Sequence, residues 1–240
     1  MDYSIQLYSV RDSMETDFEG TLKKISEMGY KYVEFAGFFG RTAEEVNEIL
    51  KRYNLKVSGT HSFLDELVNN YEETVAFHKA IGNKNFIVPG FDLWSQENLD
   101  GVIKAINEIS AKLKKDGINL GFHNHAREFI VNEDGSFPYD QMIYRTDIML
   151  EIDTYWAYVG MKNPIALMER LKDRIGFIHI KDGSADGNGK PLGLGEAPVA
   201  DVYKKAVEMG IPMVVESETC NPTGLDEAEI CIKYLRSLEK

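Results

Sequence analysis

Short runs of β-branched and aromatic residues alternate along this chain with stretches whose apolar positions recur at helical spacing. Ile5–Val10 reads as a first strand, and Thr21–Met28, apolar at Leu22, Ile25 and Met28 and stopped by Gly29, as the helix after it. Tyr32–Ala36 is a second strand; Thr42 and Glu45 then form a capping-box pattern that opens a helix. Lys56–His61 is a third strand followed by a helix over Asn70–Ile81, and Phe86–Val88 a fourth followed by a long helix over Gln96–Lys115. The fifth strand comes from Ile118–Gly121 and the residues that follow, the sixth from Met149–Asp153, the seventh from Phe177–Lys181 and the eighth from Met213–Glu216. Helices are predicted over 164–171, 199–209 and 225–235, with Pro138 and the glycine-rich run Gly183–Gly195 in loops.

The strands begin near residues 5, 32, 56, 85, 119, 148, 176 and 213. A spacing of roughly 30 residues is the length of one strand–helix unit. Eight such units predict a closed (β/α)₈ TIM barrel, in one domain spanning residues 1–240, more readily than an open sheet. No Gly-x-Gly-x-x-Gly follows any strand, so a dinucleotide-binding fold gains no support.

Composition narrows the function. A hydrophobic content of 43% suits a folded core, and a net charge of −12 argues against a broad nucleic-acid face. The two cysteines, Cys220 and Cys231, lack zinc or redox spacing and fit a reducing compartment. The start, Met1–Ile5, has no basic and apolar leader pattern, and no apolar run approaches membrane-spanning length, so a cytoplasmic enzyme is expected.

The chemistry gathers at the ends of the last four strands. In the barrel the loops after the strands build the site. Phe122–Phe129 packs His123, Asn124, His125 and Glu128 into one turn of chain. By strand alternation Glu151 shares a face with Asp153, His179 with Lys181, and Glu216 with Glu218. Singly, an Asp at a strand end is a helix N-cap and a His a hydrogen-bonded core residue. Together, at four successive strand ends, they predict one divalent metal ion, Mn²⁺, Co²⁺, Zn²⁺ or Mg²⁺. His61, Lys181 and Glu34 are further polar strand-end candidates for substrate contact, and Tyr155 and Trp156 suit stacking on a sugar face as well as core packing.

These motifs resemble the xylose isomerase-like TIM barrels of sugar isomerases and epimerases, the superfamily that includes the family 2 AP endonucleases. The resemblance is carried by His123–Phe129, Asp153–Trp156, His179–Asp182, Leu192–Glu196 and Val215–Glu216. It implies a metal held by Asp153, His179 and Glu216. A first Glu lies in the relatives at the place of Gly121; Glu128 is its nearest replacement, with His125 or His123 behind it. The implied activity is isomerisation or epimerisation of a keto-sugar. The metal would chelate carbonyl and hydroxyl oxygens and acidify the adjacent C–H, with Glu216 and Glu128 as the acid/base pair and an enediolate between them. His61, His123, His125, Trp156, Lys181 and Glu34 would contact the sugar. A lyase on the same scaffold, such as an inosose dehydratase or 3-keto-glycoside eliminase, is the alternative, and a sugar-binding barrel without turnover the non-enzymatic one. The expected partner is a small sugar, with neither nucleic acid nor membrane; a homodimer is compatible, since such barrels often dimerise. Trp156 stands where the nuclease branch has a metal-binding histidine, which disfavours that branch.

Overall fold

In a computed structural model that describes residues 1–239, eight parallel strands close into a barrel. They are β1 (Ser4–Gln6), β2 (Tyr32–Phe35), β3 (Lys56–His61), β4 (Asn85–Val88), β5 (Asn119–His123), β6 (Met149–Asp153), β7 (Ile175–Ile180) and β8 (Met213–Val215). Each pairs with its neighbours in chain order, and β8 returns to β1, matching Ser4 to Val214 and Ile5 to Val215. Helices fill the connections, so the predicted (β/α)₈ barrel is the observed fold. No helix among the described residues is long and apolar enough to cross a membrane.

Alternation within each strand decides what faces the axis. Val33 and Phe35, Leu120 and Phe122, Leu150 and Ile152, Ile178 and Ile180 join the apolar core packed beneath the helices. Their alternates Glu34, His123, Glu151 and Asp153, and His179, with Gly121 at the same phase, therefore face the barrel axis. A pattern that buries apolar side chains outward and charged ones inward is unusual economy for a core. It concentrates the charge in one place.

Several elements differ from the sequence reading, each for a local reason. The first predicted strand stops at Gln6, whose side chain accepts the Tyr8 N–H and turns the chain into a 3₁₀ segment, Leu7–Val10. Pro138 opens a helix, Pro138–Arg145, at the first-turn position where proline's missing N–H costs nothing. Helices Leu64–Asn69 and Thr154–Val159 are too short to carry a periodic signal. Asp182–Gly183 pairs with Gly189–Lys190 inside the glycine-rich run. Asp182 anchors that run by accepting the N–H groups of Gly183, Gly193, Gly195 and Ala197.

Candidate metal centre at the barrel mouth

Inward side chains of β2, β3, β5, β6 and β7, with Glu216 just past β8, converge on two groups of ligand-capable atoms that share His179: an outer one of His123, Asp153, His179 and Glu216, and an inner one of Glu34, His61, Glu151 and His179. In the outer group His123 Nε2 lies 3.5 Å from Asp153 Oδ2, and His179 Nδ1 lies 4.0 Å from the same oxygen and 3.1 Å from Glu216 Oε2. All four residues are buried. Both ring nitrogens of His123 and Asp153 Oδ2 have no hydrogen-bond partner. Unpaired buried polar atoms cost about 1–3 kcal/mol each, and these three belong to residues that offer nitrogen and oxygen donors to one point. The donor set of two imidazoles and two carboxylates fits Zn²⁺, Mn²⁺ or Co²⁺.

Asp153 serves two purposes at once. Its Oδ1 accepts the Trp156 N–H at 2.7 Å and caps the helix Thr154–Val159, while Oδ2 faces the outer group. The Asn124 side chain ties β5 to β6 beside it, donating to the Asp153 carbonyl and accepting the Asp153 N–H.

Charges are arranged to keep the donors available. Burial alone would raise Glu216, but Lys181 and His179 hold it well below the ordinary carboxylate range. Burial, countered by Lys181 and reinforced by Glu216, raises Asp153 to about 6. Burial, with the cationic rings of His179 and His61 nearby, keeps His123 neutral. Lys181 is itself buried, yet Glu216, Asp153 and Glu218 outweigh that burial and hold it charged. Its ammonium lies 3.1 Å from Glu216 and 2.8 Å from Glu218, not on Asp182, and 4.8 Å from the Trp156 ring centre.

The predicted candidates separate. Glu128 is not brought to either group. It sits on the 3₁₀ turn Arg127–Phe129, buried, with Oε2 accepting the His125 N–H at 2.9 Å. One turn past the strand end the chain has left the barrel axis, and the carboxylate serves that turn's own backbone. Gly121 has no room for a ligand either: a Cβ there would meet Met149 Cε at 2.9 Å and Ile87 Cγ1 at 3.0 Å. His123, two residues on and at the same inward phase, is the residue of β5 that stands beside Asp153, His179 and Glu216. Glu34 lies fully buried against His179 rather than in the mouth. Tyr155 is buried, its hydroxyl donating to the Ser184 carbonyl. Trp156 packs beside His125 and Lys181. Glu151 was visible in the sequence only as the residue sharing Asp153's face; a charge at an inward strand position was its signal.

Above the outer group a cavity of about 440 Å³ opens, walled by His61, His123, His125, Glu216, Glu218 and aromatic residues including Tyr8, Phe38 and Phe63. Burial, with the His123 ring nearby, lowers His125 to about 4 and leaves it neutral at physiological pH. A larger cavity, about 860 Å³, lies at the opposite end of the barrel among Leu50, Leu55, Phe177 and Ile211, but none of the clustered donors line it.

Known proteins place this architecture. An inosose dehydratase of Bacillus velezensis is 23% identical over 190 residues, covering 69% of this chain and 62% of that protein, so the match spans less than two thirds of the relative's length. A sugar phosphate isomerase/epimerase from Parabacteroides distasonis superposes with a TM-score of 0.84 at 22% identity, covering 98% of this chain and 93% of that one. A probable 3-DHS dehydratase involved in petrobactin synthesis from Bacillus anthracis superposes with a TM-score of 0.79 at 14% identity, covering 98% and 99%. The profile of one family matches residues 22–238. The chain belongs to the xylose isomerase-like TIM barrel family.

Proposed function

We propose that the protein is a divalent-metal-dependent lyase that removes water from a small keto-polyol of the sugar class. The observation that carries this reading is the pair of proton-handling groups at the mouth. They are a neutral imidazole, His125, and a buried ammonium, Lys181, whereas Glu128, which a two-carboxylate epimerisation would need across the substrate, is turned into its own loop. The inosose dehydratase relatives support the same class.

A divalent ion held by His123, Asp153, His179 and Glu216 would supply a Lewis acid that polarises the substrate carbonyl. His125 takes the proton from the carbon next to that carbonyl, and its bond electrons form the new carbon–carbon double bond as the β-hydroxyl departs. The same imidazole returns the proton to the departing oxygen, so one water leaves and His125 is restored. Lys181 donates to the oxygen on which negative charge gathers. Glu128 acts at one remove, holding the backbone that carries His125. The aromatic wall of the cavity, Tyr8, Phe38 and Phe63, covers the ring's apolar face, with Trp156 packed beside His125 and Lys181.

An isomerase or epimerase at the same centre is the second reading, favoured by Glu216 and Glu218 flanking Lys181 as two carboxylates at the mouth. A panel of inososes, keto-sugars and 3-keto-glucosides, assayed in deuterated water with added Mn²⁺, Co²⁺, Zn²⁺ or Mg²⁺, separates the two. Water loss with a conjugated ketone as product is expected. Epimer formation with deuterium incorporation and no loss of water would overturn the lyase reading. Metal binding with neither exchange nor product would make the barrel a binding protein.

A further inference from the structure

Beneath the outer donors lies a second set of charges that the proposed reaction does not use, buried except where the His61 ring reaches the cavity wall. His179 Nε2 lies 2.8 Å from Glu34 Oε2 and 3.1 Å from Glu151 Oε2; His61 Nε2 lies 2.6 Å from Glu151 Oε2 and 3.3 Å from Glu34 Oε2. The two rings stack 5.2 Å apart with planes 10° from parallel. Two imidazole N–H groups thus meet two carboxylates in a closed square.

The square has its own supports. Gln6, at the end of β1, donates to Glu34 Oε2 at 2.7 Å while its carbonyl oxygen accepts the Tyr8 N–H. Gly59 on β3 leaves the room Glu34 needs, because a Cβ there would lie 2.8 Å from Glu34 Oε1. Isolated buried carboxylates are costly, and the chain carries two at full burial here. Such an arrangement needs a purpose other than packing.

The geometry points to one: Glu34, Glu151 and His61 are positioning residues that fix which nitrogen of His179 faces the outer donors. An imidazole that ligates a cation through one nitrogen keeps its hydrogen on the other. With Glu34 and Glu151 accepting at Nε2, that hydrogen stays there, and Nδ1, which faces Glu216 at 3.1 Å and Asp153 at 4.0 Å, is the nitrogen that gives up its proton to a cation on that side. A carboxylate behind a ligating histidine sets its tautomer and orientation and raises its donor strength. The alternative, that the square is itself a cation site, would leave both Nε2–H donors without their acceptors. This inference rests on the metal reading of the outer group.

The test measures metal affinity by calorimetry with Zn²⁺ and Co²⁺ on the wild type and on Glu34→Gln, Glu34→Ala and Glu151→Gln. NMR of the His179 Nε2–H in ¹⁵N-histidine-labelled, Zn²⁺-loaded protein, and the visible spectrum of the Co²⁺-loaded protein, accompany it. The expected result is one ion per chain in the wild type and a loss of about 10–100-fold in affinity in the variants. Glu34→Ala should fall below Glu34→Gln, which keeps an oxygen acceptor, and should also lose the slowly exchanging Nε2–H signal. Should either Glu variant fail to fold, Gln6→Met removes the support of Glu34 from outside the square and should shift affinity in the same direction. Wild-type affinity and an unchanged His179 tautomer in Glu34→Ala and Glu151→Gln would overturn the inference alone. Two ions per chain would overturn it by making the square a ligand set. A wild type that binds no divalent ion would overturn the metal reading together with it.

Discussion

Asp153→Asn is the perturbation that separates the two tasks of the residue at the centre of the site. The asparagine keeps the oxygen that caps Trp156 N–H, a 2.7 Å bond, but puts an amide NH₂ where Oδ2 faces His123 at 3.5 Å and His179 at 4.0 Å. An NH₂ cannot ligate a cation. Without metal, the wild-type carboxylate is a burden: burial, together with Glu216, raises it to about 6 from 3.8 even against the pull of Lys181. An acid whose folded pKa lies above its unfolded one destabilises the fold at pH above both, by about 3 kcal/mol at most here. That penalty shrinks as pH falls from about 6 toward 3.8.

Urea unfolding at pH 8 should therefore find metal-free Asp153→Asn as stable as the wild type or more so, by up to about 3 kcal/mol. The difference should fade as the pH is lowered toward 4. With Zn²⁺ at 100 times its dissociation constant, the wild type should gain about 2.7 kcal/mol and Asp153→Asn close to nothing. Asp153→Ala, which also loses the helix cap, should lie about 1 kcal/mol below Asp153→Asn in the absence of metal. An equal gain from Zn²⁺ in wild type and Asp153→Asn would refute the ligand assignment. A metal-free Asp153→Asn weaker than the wild type by several kcal/mol would refute the electrostatic argument.

Two further outcomes test the scaffold. His78 is buried and burial lowers it to about 4 from 6.5, with Asn83 donating toward its Nδ1 at 2.9 Å; a neutral buried histidine stabilises above its unfolded pKa, so stability should fall by about 3 kcal/mol between pH 6.5 and 4, and His78→Gln should flatten that part of the urea-midpoint profile. Gly121→Ala should cost about 1–3 kcal/mol in a urea melt, because its Cβ would stand 2.9–3.0 Å from Met149 and Ile87, whereas a melt unchanged by the methyl group would mean that the interior beside β5 gives way easily.

The sequence revealed the barrel because its evidence is repetitive: eight apolar runs at regular spacing leave few ways to close a sheet. The convergence of Asp153, His179 and Glu216 was legible too, since each sits at the inward phase of a strand whose outward neighbours are apolar. Glu128 lies apart from that cluster because closeness to a strand end in sequence does not ensure closeness in space. The strand ends at His123, and the next residues wind into a turn that consumes the Glu128 carboxylate. Short helices such as Thr154–Val159 escaped for a related reason, as six residues hold too few apolar repeats to show a period.

The inner square was the least legible part, and the reason is physical. Glu34, His61 and Glu151 come from three strands separated by 27 and 90 residues (61 − 34 and 151 − 61), and each alone reads as a solvated charge or a substrate contact. What identifies them is that β2, β3, β6 and β7 bring their inward positions to one level of the barrel, where Glu34, Glu151 and His179 are fully buried. Buried charge without solvent must be met by other charge. The barrel meets it with the ring of His179, whose other nitrogen faces Asp153 and Glu216. Interior electrostatics and mouth chemistry are thus joined through one imidazole, and a substitution at Glu34, fully buried below the cavity, is felt where substrate would bind.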